Sequence, residues 1–282
     1  MVLDTGTAGT ILDDVTARQA GFTMMMIHDL DKPPYPAIAG EQVLRFAGLQ
    51  VHEPSIPVHT MQPLSQLEQI HLDGILGAEF FMQYVVEIDY QASELSIFDP
   101  RTYTYSGRGE VLPINYGYRL PIVQGSVTPC AACLPLPTRF QVDTGLSETD
   151  ATFWRPFVVA HHLLSTAWNV ERVSTNGLTN VAYSTEGHLT SMRVGALEFP
   201  SPLIGFMQSP HGDPSVFGGE FDANLGTAFL RRFLVIFDLP HNHLILAPPK
   251  APQTSPELLA RLRALQQEFA AIPPLKFVVL SQ

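Results

Sequence analysis

The chain has 282 residues, with 16 Lys plus Arg against 27 Asp plus Glu and a formal net charge of −11. That acidic balance argues against a nucleic-acid binder, which needs a basic stripe, and equally against docking on anionic lipid. Apolar residues make up 45% and charged residues 15%, against roughly 25% charged in an average chain, so the chain can bury a sizeable core and is not a disordered segment.

In chain order, the apolar pair Val2-Leu3 leads into Asp4-Thr5-Gly6. Leu12–Gln19 is a predicted short helix with Gly21 as its stop. Gln42–Phe46 reads as a strand entering a tight turn at Gly48. Ala78–Tyr84 reads as a helical segment, and Val85–Asp89 with Leu95–Phe98 as a hairpin. Tyr118–Val123 and Thr138–Val142 read as two strands leading into Asp143-Thr144-Gly145. The Pro-rich loop between them holds Cys130 and Cys133, the two cysteines of the chain. A zinc ribbon needs a second such pair. They read as loop cysteines, free or disulfide-linked according to compartment, with redox or metal chemistry as the alternative.

Phe153–Leu164 is an apolar stretch of helical character, provided that Pro156 lies in its first turn. Leu189–Val194 reads as a strand turning at Gly195, Thr227–Phe233 as a helix, and Leu234–Asp238 with Leu244–Ala247 as a second hairpin. In the tail, Ser255 suits an N-cap and Pro256 the first helical position. Leu258, Leu259, Leu262, Leu265 and Phe269 mark one face of a helix over Ser255–Ala271, and Lys276–Leu280 reads as a terminal strand. No run reaches the ~18 apolar residues of a transmembrane helix, and residues 1–10 lack the features of a signal peptide. The compartment stays open, since an N-terminally truncated chain would leave room for an export signal upstream.

A tandem repeat organises these elements. Residues 73–100 and 222–249 align without gaps at an offset of 149, which carries Gly77 to Gly226, Phe80 to Phe229 and Asp89 to Asp238. Upstream the register slips slightly, to 147 between Gly40 and Gly187 and to 139 between Asp4 and Asp143. The reading divides the chain into a first lobe over residues 1–105, a second over 106–250 and a helix–strand tail over 251–282.

Two Asp-Thr-Gly tripeptides at matching places in a repeat point to paired-carboxylate chemistry. Hydrolysing a peptide bond with water needs a base for the water proton and an acid for the departing nitrogen. Two close carboxylates supply both, because repulsion keeps one proton on the pair; the aspartic-protease dyad is a standard illustration of this splitting. The proton belongs to the pair, so acid and base are not assigned separately to Asp4 and Asp143.

On these motifs, and on Ile75-Leu76-Gly77 with a helical segment and hairpin behind it, the sequence resembles the pepsin and retropepsin-like aspartic proteases, and within them the bacterial retropepsin-like group. The resemblance covers residues 1–249. It implies a mainly β, bilobal acid-protease fold of two homologous lobes with short helices. It also implies that Thr5 and Thr144 bond across the lobe junction, that Gly6 and Gly145 let the backbone approach the carboxylates, and that Gly77 and Gly226 pass tightly behind the catalytic loops. Flaps are placed near Tyr35–Gly40 and Asn176–Tyr183. Tyr35 and Tyr183 are candidates to cover substrate, although the plainer reading of each is an ordinary hairpin tyrosine.

Four features depart from the family pattern. Three residues precede Asp4, so either the first lobe lacks its first hairpin or the chain is an N-terminally truncated piece, and the Lys276–Leu280 strand is expected to dock in the vacated position. Thr7 and Leu146 follow the motifs where Ala or Ser is usual. Asn224 stands where an apolar residue belongs and is expected to disturb packing. No Gly-rich flap tip is evident. His241-Asn242-His243 reads as turn residues and His161-His162 as a packing pair. Zinc-protease, nucleophile-elbow and Walker motifs are absent from the sequence.

The leading expectation is an aspartic endopeptidase that hydrolyses peptide bonds with a water held between Asp4 and Asp143. It needs no cofactor and no metal, takes a peptide or protein substrate as an added strand, and works as a monomer. The alternatives are an inactive or incomplete peptide-binding module, and a protease completed by another copy or a partner.

Overall fold

The structure, a computed structural model, describes residues 1–28, 34–46, 48–146, 149–176, 181–208 and 219–249. The predicted tail helix and the strand over 276–280 lie outside the described residues, as does the proposed docking of that strand. The chain divides into a unit Met1–Pro249, which holds everything described below, and a unit Lys250–Gln282.

The described chain is mainly β, with short helices. In the first half, Val2–Leu3 runs parallel to Gly74–Leu76, which lies antiparallel to Ile11–Asp13. Ile11–Asp13 is parallel to Ile56–His59, followed by antiparallel Tyr35–Ile38 and then Met25–Ile27. The second half repeats this path strand for strand. Leu136–Val142 is parallel to Ala223–Leu225, which is antiparallel to Ala151–Phe153. Ala151–Phe153 is parallel to Leu203–Met207, followed by antiparallel Val181–His188 and Trp168–Asn176. The repeat in sequence is therefore a repeat in strand order and strand sense.

One difference between the halves lies at the edge of these sheets. In the second, Leu120–Thr128 flanks Leu136–Val142 and also pairs with Ser191–Val194, which joins the hairpin Ser191–Val194 and Leu197–Pro200 to the main sheet. Among the described residues no strand takes that place in the first half. The matching hairpin, Gln42–Phe46 with Leu49–Glu53, stands as a separate two-stranded sheet.

A further sheet draws on both halves, in the order Glu94–Phe98, Val85–Asp89, Leu234–Asp238, His243–Ala247, Glu110–Pro113. Val86 faces Phe237, and Ile88 faces Val235. The 149-residue offset maps one pair onto the other, so the halves are related by a local twofold through this sheet. Phe81 and Phe237, both fully buried, meet edge to face at 5.1 Å between ring centres on this seam, each contributing about 1.5–3 kcal/mol of burial.

Several predicted elements change at their boundaries. The segment read as one helix over 12–19 is a strand, Ile11–Asp13, followed by a helix, Asp14–Gln19. Asp13 ends the strand in extended conformation and accepts from the Val15 and Thr16 N–H groups at 3.1 and 3.2 Å, as an N-cap does. The stretch over 153–164 is broken into Ala151–Phe153, a helix Arg155–Ala160 with Pro156 in its first turn, and Leu163–Thr166. His162 sits at φ 50 between the two helices and interrupts the helical ladder. Tyr118 and Arg119 belong to a left-handed turn (φ 50 and 67) between Asn115–Gly117 and Leu120–Thr128, not to the strand. The helix predicted over 227–233 ends at Leu230. Cys130 and Cys133 form a disulfide in the Leu120–Thr128 to Leu136–Val142 connection, which removes both sulfurs from metal binding.

Candidate active site

Each Asp-Thr-Gly sits where a strand leaves its parallel partner. Asp4 N–H donates to Leu76 O and Asp143 N–H to Leu225 O, both at 3.0 Å. Each loop then folds back on its own carboxyl. Gly6 N–H donates to Asp4 Oδ1 at 2.8 Å and Gly145 N–H to Asp143 Oδ1 at 2.9 Å.

The two loops are tied together by reciprocal bonds. Thr5 N–H donates to Thr144 Oγ1 at 3.0 Å, and Thr144 N–H donates to Thr5 Oγ1 at 3.1 Å. The hydroxyls pass on to the opposite strands, Thr5 Oγ1 to Val142 O at 2.8 Å and Thr144 Oγ1 to Leu3 O at 2.9 Å. This lattice sets each carboxyl against the other loop. A methyl group placed on Gly6 would stand 2.5 Å from Asp143 Oδ1, and one on Gly145 would stand 2.7 Å from Asp4 Oδ1. Gly77 and Gly226 lie behind the loops. A Cβ there would meet Thr7 O at 2.6 Å and Thr149 O at 2.5 Å respectively. The residues after them brace the loops: Ala78 N–H donates to Thr7 O and Thr227 N–H to Leu146 O, both at 2.7 Å.

Asp143 is 8% exposed. Burial, then the Asp4 charge, pushes its carboxyl up to about 7, against the opposing hydrogen bonds from Gly145 and Asn224. A proton held in common by the pair near neutral pH is what this arrangement offers chemically.

The outer oxygens show what the sequence reading missed. Thr7 Oγ1 donates to Asp4 Oδ2 at 2.9 Å. Asn224 does not disturb the packing as expected: its Nδ2 donates to Asp143 Oδ2 at 2.6 Å, and its Oδ1 accepts from Trp154 Nε1 at 3.0 Å. The polar residue in an apolar motif was the signal, since a half-buried amide persists where both of its ends are satisfied.

A second carboxyl pair lies behind the first loop. Glu53 is fully buried and Glu79 is 7% exposed. Thr10 Oγ1 donates to Glu53 Oε1, and the Arg119 guanidinium pairs with Glu79. Burial, reinforced by the neighbouring Glu79, pushes Glu53 up to about 8.

Of the flap candidates, Tyr35 is half-buried and pairs with Ile27 in the hairpin Met25–Ile27 and Tyr35–Ile38. Residues 29–33 lie outside the described residues. Within the range predicted over 35–40, Tyr35–Ile38 is a strand of that hairpin, and Gly40 lies beyond its end. Tyr183 pairs with Ser174 in the hairpin Trp168–Asn176 and Val181–His188, where residues 177–180 lie outside the described residues.

His241 Nδ1 hydrogen-bonds Asp238 Oδ1 at 2.6 Å within its turn, and the His161 ring packs on Phe157 at 4.3 Å. Among the described residues, no group of three or more His, Cys, Asp or Glu is placed to hold a metal ion, and no helix is long and apolar enough to cross a membrane. No protein-family model and no curated protein matches the chain.

Proposed function

We propose that the chain is a bilobal aspartic endopeptidase that takes an extended peptide, with Asp4 and Asp143 as its catalytic pair. The observation that carries this reading is the reciprocal Thr5–Thr144 bonding, which joins two Asp loops from matching positions of the repeat. Loops held by four bonds over such sequence distances meet a demand of catalysis by orientation, because small misplacement costs large factors in rate.

In the reaction, a water between the carboxyls attacks the peptide carbonyl carbon. The ionised carboxylate takes the water proton, the protonated carboxyl supplies its proton to the substrate, and the C–N bond breaks with the amine leaving protonated. Thr5, Thr144, Gly6 and Gly145 hold the pair in place. The substrate lies as an added strand.

The test is cleavage of an internally quenched peptide library between pH 3 and 9. Cleavage within the peptides, lost as pH rises through the Asp143 value of about 7 and abolished by Asp143→Asn, supports the reading; cleavage that survives the substitution overturns it. A second reading, a peptide-binding module without turnover, is favoured by the isolated two-stranded sheet of the first half. It predicts peptide binding by the wild type with no cleavage at any pH.

A further inference from the structure

We propose that Asn224 is a positioning residue for the Asp pair: it does for Asp143 what the Thr7 hydroxyl does for Asp4, but with a fixed direction of donation. This rests on the reading of Asp4 and Asp143 as a working pair. The repeat makes the comparison internal. Position 7 corresponds to 146 and position 75 to 224, by the offsets of 139 and 149. The first half has a polar residue at the former and an apolar one at the latter, Thr7 and Ile75. The second half has the reverse, Leu146 and Asn224. The outer oxygen of each Asp nevertheless receives one side-chain donor, at 2.9 Å from Thr7 and 2.6 Å from Asn224. The donor lost from the loop in the second half is replaced from the neighbouring strand.

The replacement changes the chemistry. A hydroxyl donates or accepts as its partner requires, so the Thr7 hydroxyl can turn to suit the oxygen it meets. Asn224 has no such freedom. The Trp154 indole N–H is donor-only and occupies Asn224 Oδ1, which turns the amide NH2 towards Asp143 Oδ2. Both Asp143 oxygens then meet donors, Gly145 N–H and Asn224 Nδ2. The charged group facing Asp143 is Asp4. The high proton affinity belongs to the pair, and Asn224 opposes the rise that burial and the Asp4 charge impose on Asp143, holding its outer oxygen in one orientation.

The test is a 13C-carboxyl NMR titration of Asp143 in the full chain, for wild type and Asn224→Leu, with kcat and KM measured alongside. Loss of a donor to the ionised form is expected to raise the Asp143 midpoint by about one pH unit, and to lower kcat at least about tenfold with KM little changed. Adding Leu146→Thr to Asn224→Leu returns a hydroxyl to the loop and is expected to bring both the midpoint and kcat back towards wild type. An unchanged midpoint in Asn224→Leu overturns the proposal, even if activity falls. Because the midpoint needs no turnover, an inactive wild type would sink the endopeptidase reading while leaving this titration decisive for Asn224. If Asn224→Leu fails to fold, Trp154→Phe keeps the ring and frees the amide. A smaller rise supports the proposal, and no movement overturns it.

Discussion

Thr5 and Thr144 exchange hydrogen bonds across the junction of the two halves, each backbone N–H donating to the other's hydroxyl at 3.0 and 3.1 Å. Each hydroxyl both accepts one of these bonds and donates another, so removing either breaks two bonds. Thr5→Val and Thr144→Val are each expected to cost about 1–3 kcal/mol, the range for leaving buried polar partners unmade. The double variant should cost less than the sum, because losing one hydroxyl loosens both loops and leaves the other's two bonds worth less. Urea unfolding of the three variants measures this, and strict additivity would show that the four bonds are independent.

The glycines of the two loops make a steric prediction. With Asp143 Oδ1 only 2.5 Å from a methyl group on Gly6, Gly6→Ala must push the opposite carboxyl aside. A displacement near 1 Å is expected to lower kcat by about 10²-fold, and Gly145→Ala should do the same through Asp4. Both variants should retain native circular dichroism. Full activity in either would mean that the carboxyls do not meet as described.

The buried Glu53 makes stability depend on pH. Its folded value is raised from 4.5 to about 8, so the folded state holds a proton that the unfolded chain releases earlier. The contribution is fully present below about pH 4.5 and is lost as pH rises towards 8. Asp143, raised from 3.8 to about 7, acts in the same direction. Glu53→Gln keeps an acceptor for Thr10 and removes the ionisable group. Between pH 5 and 8 its melting temperature is expected to fall less steeply than that of the wild type. Parallel curves for the two proteins would show that Glu53 is already ionised in the folded state.

The repeat was legible in the sequence because its markers are local. Leu-Gly and the hairpin behind it recur at one offset, with Asp-Thr-Gly repeated upstream at a slightly shorter one, and the twofold pairing of Val86–Phe237 with Ile88–Val235 follows from the constant offset. Single-residue logic failed where a side chain answers to a distant partner. Asn224 looked like a packing fault, because its two partners, Asp143 and Trp154, stand 81 and 70 positions away. Glu53 and Glu79 lie on a strand end and a first helical turn, where charges are ordinarily solvated. Only the fold buries them together. Leu12 and Asp13 were read as helix because the three-residue strand Ile11–Asp13 carries little periodicity, and its strand state is imposed by neighbours on both sides.

The most direct measurement is a double-mutant cycle on the carboxyls themselves, with Asp4→Asn, Asp143→Asn and the double variant assayed for peptide cleavage under the wild-type optimum. Two groups that share one proton and one water act as a unit. Each single substitution is therefore expected to lower kcat by about 10²–10⁴-fold, and the double variant to be little worse than either. Losses that multiply in the double variant, or a single variant that keeps wild-type activity, would contradict a shared catalytic pair.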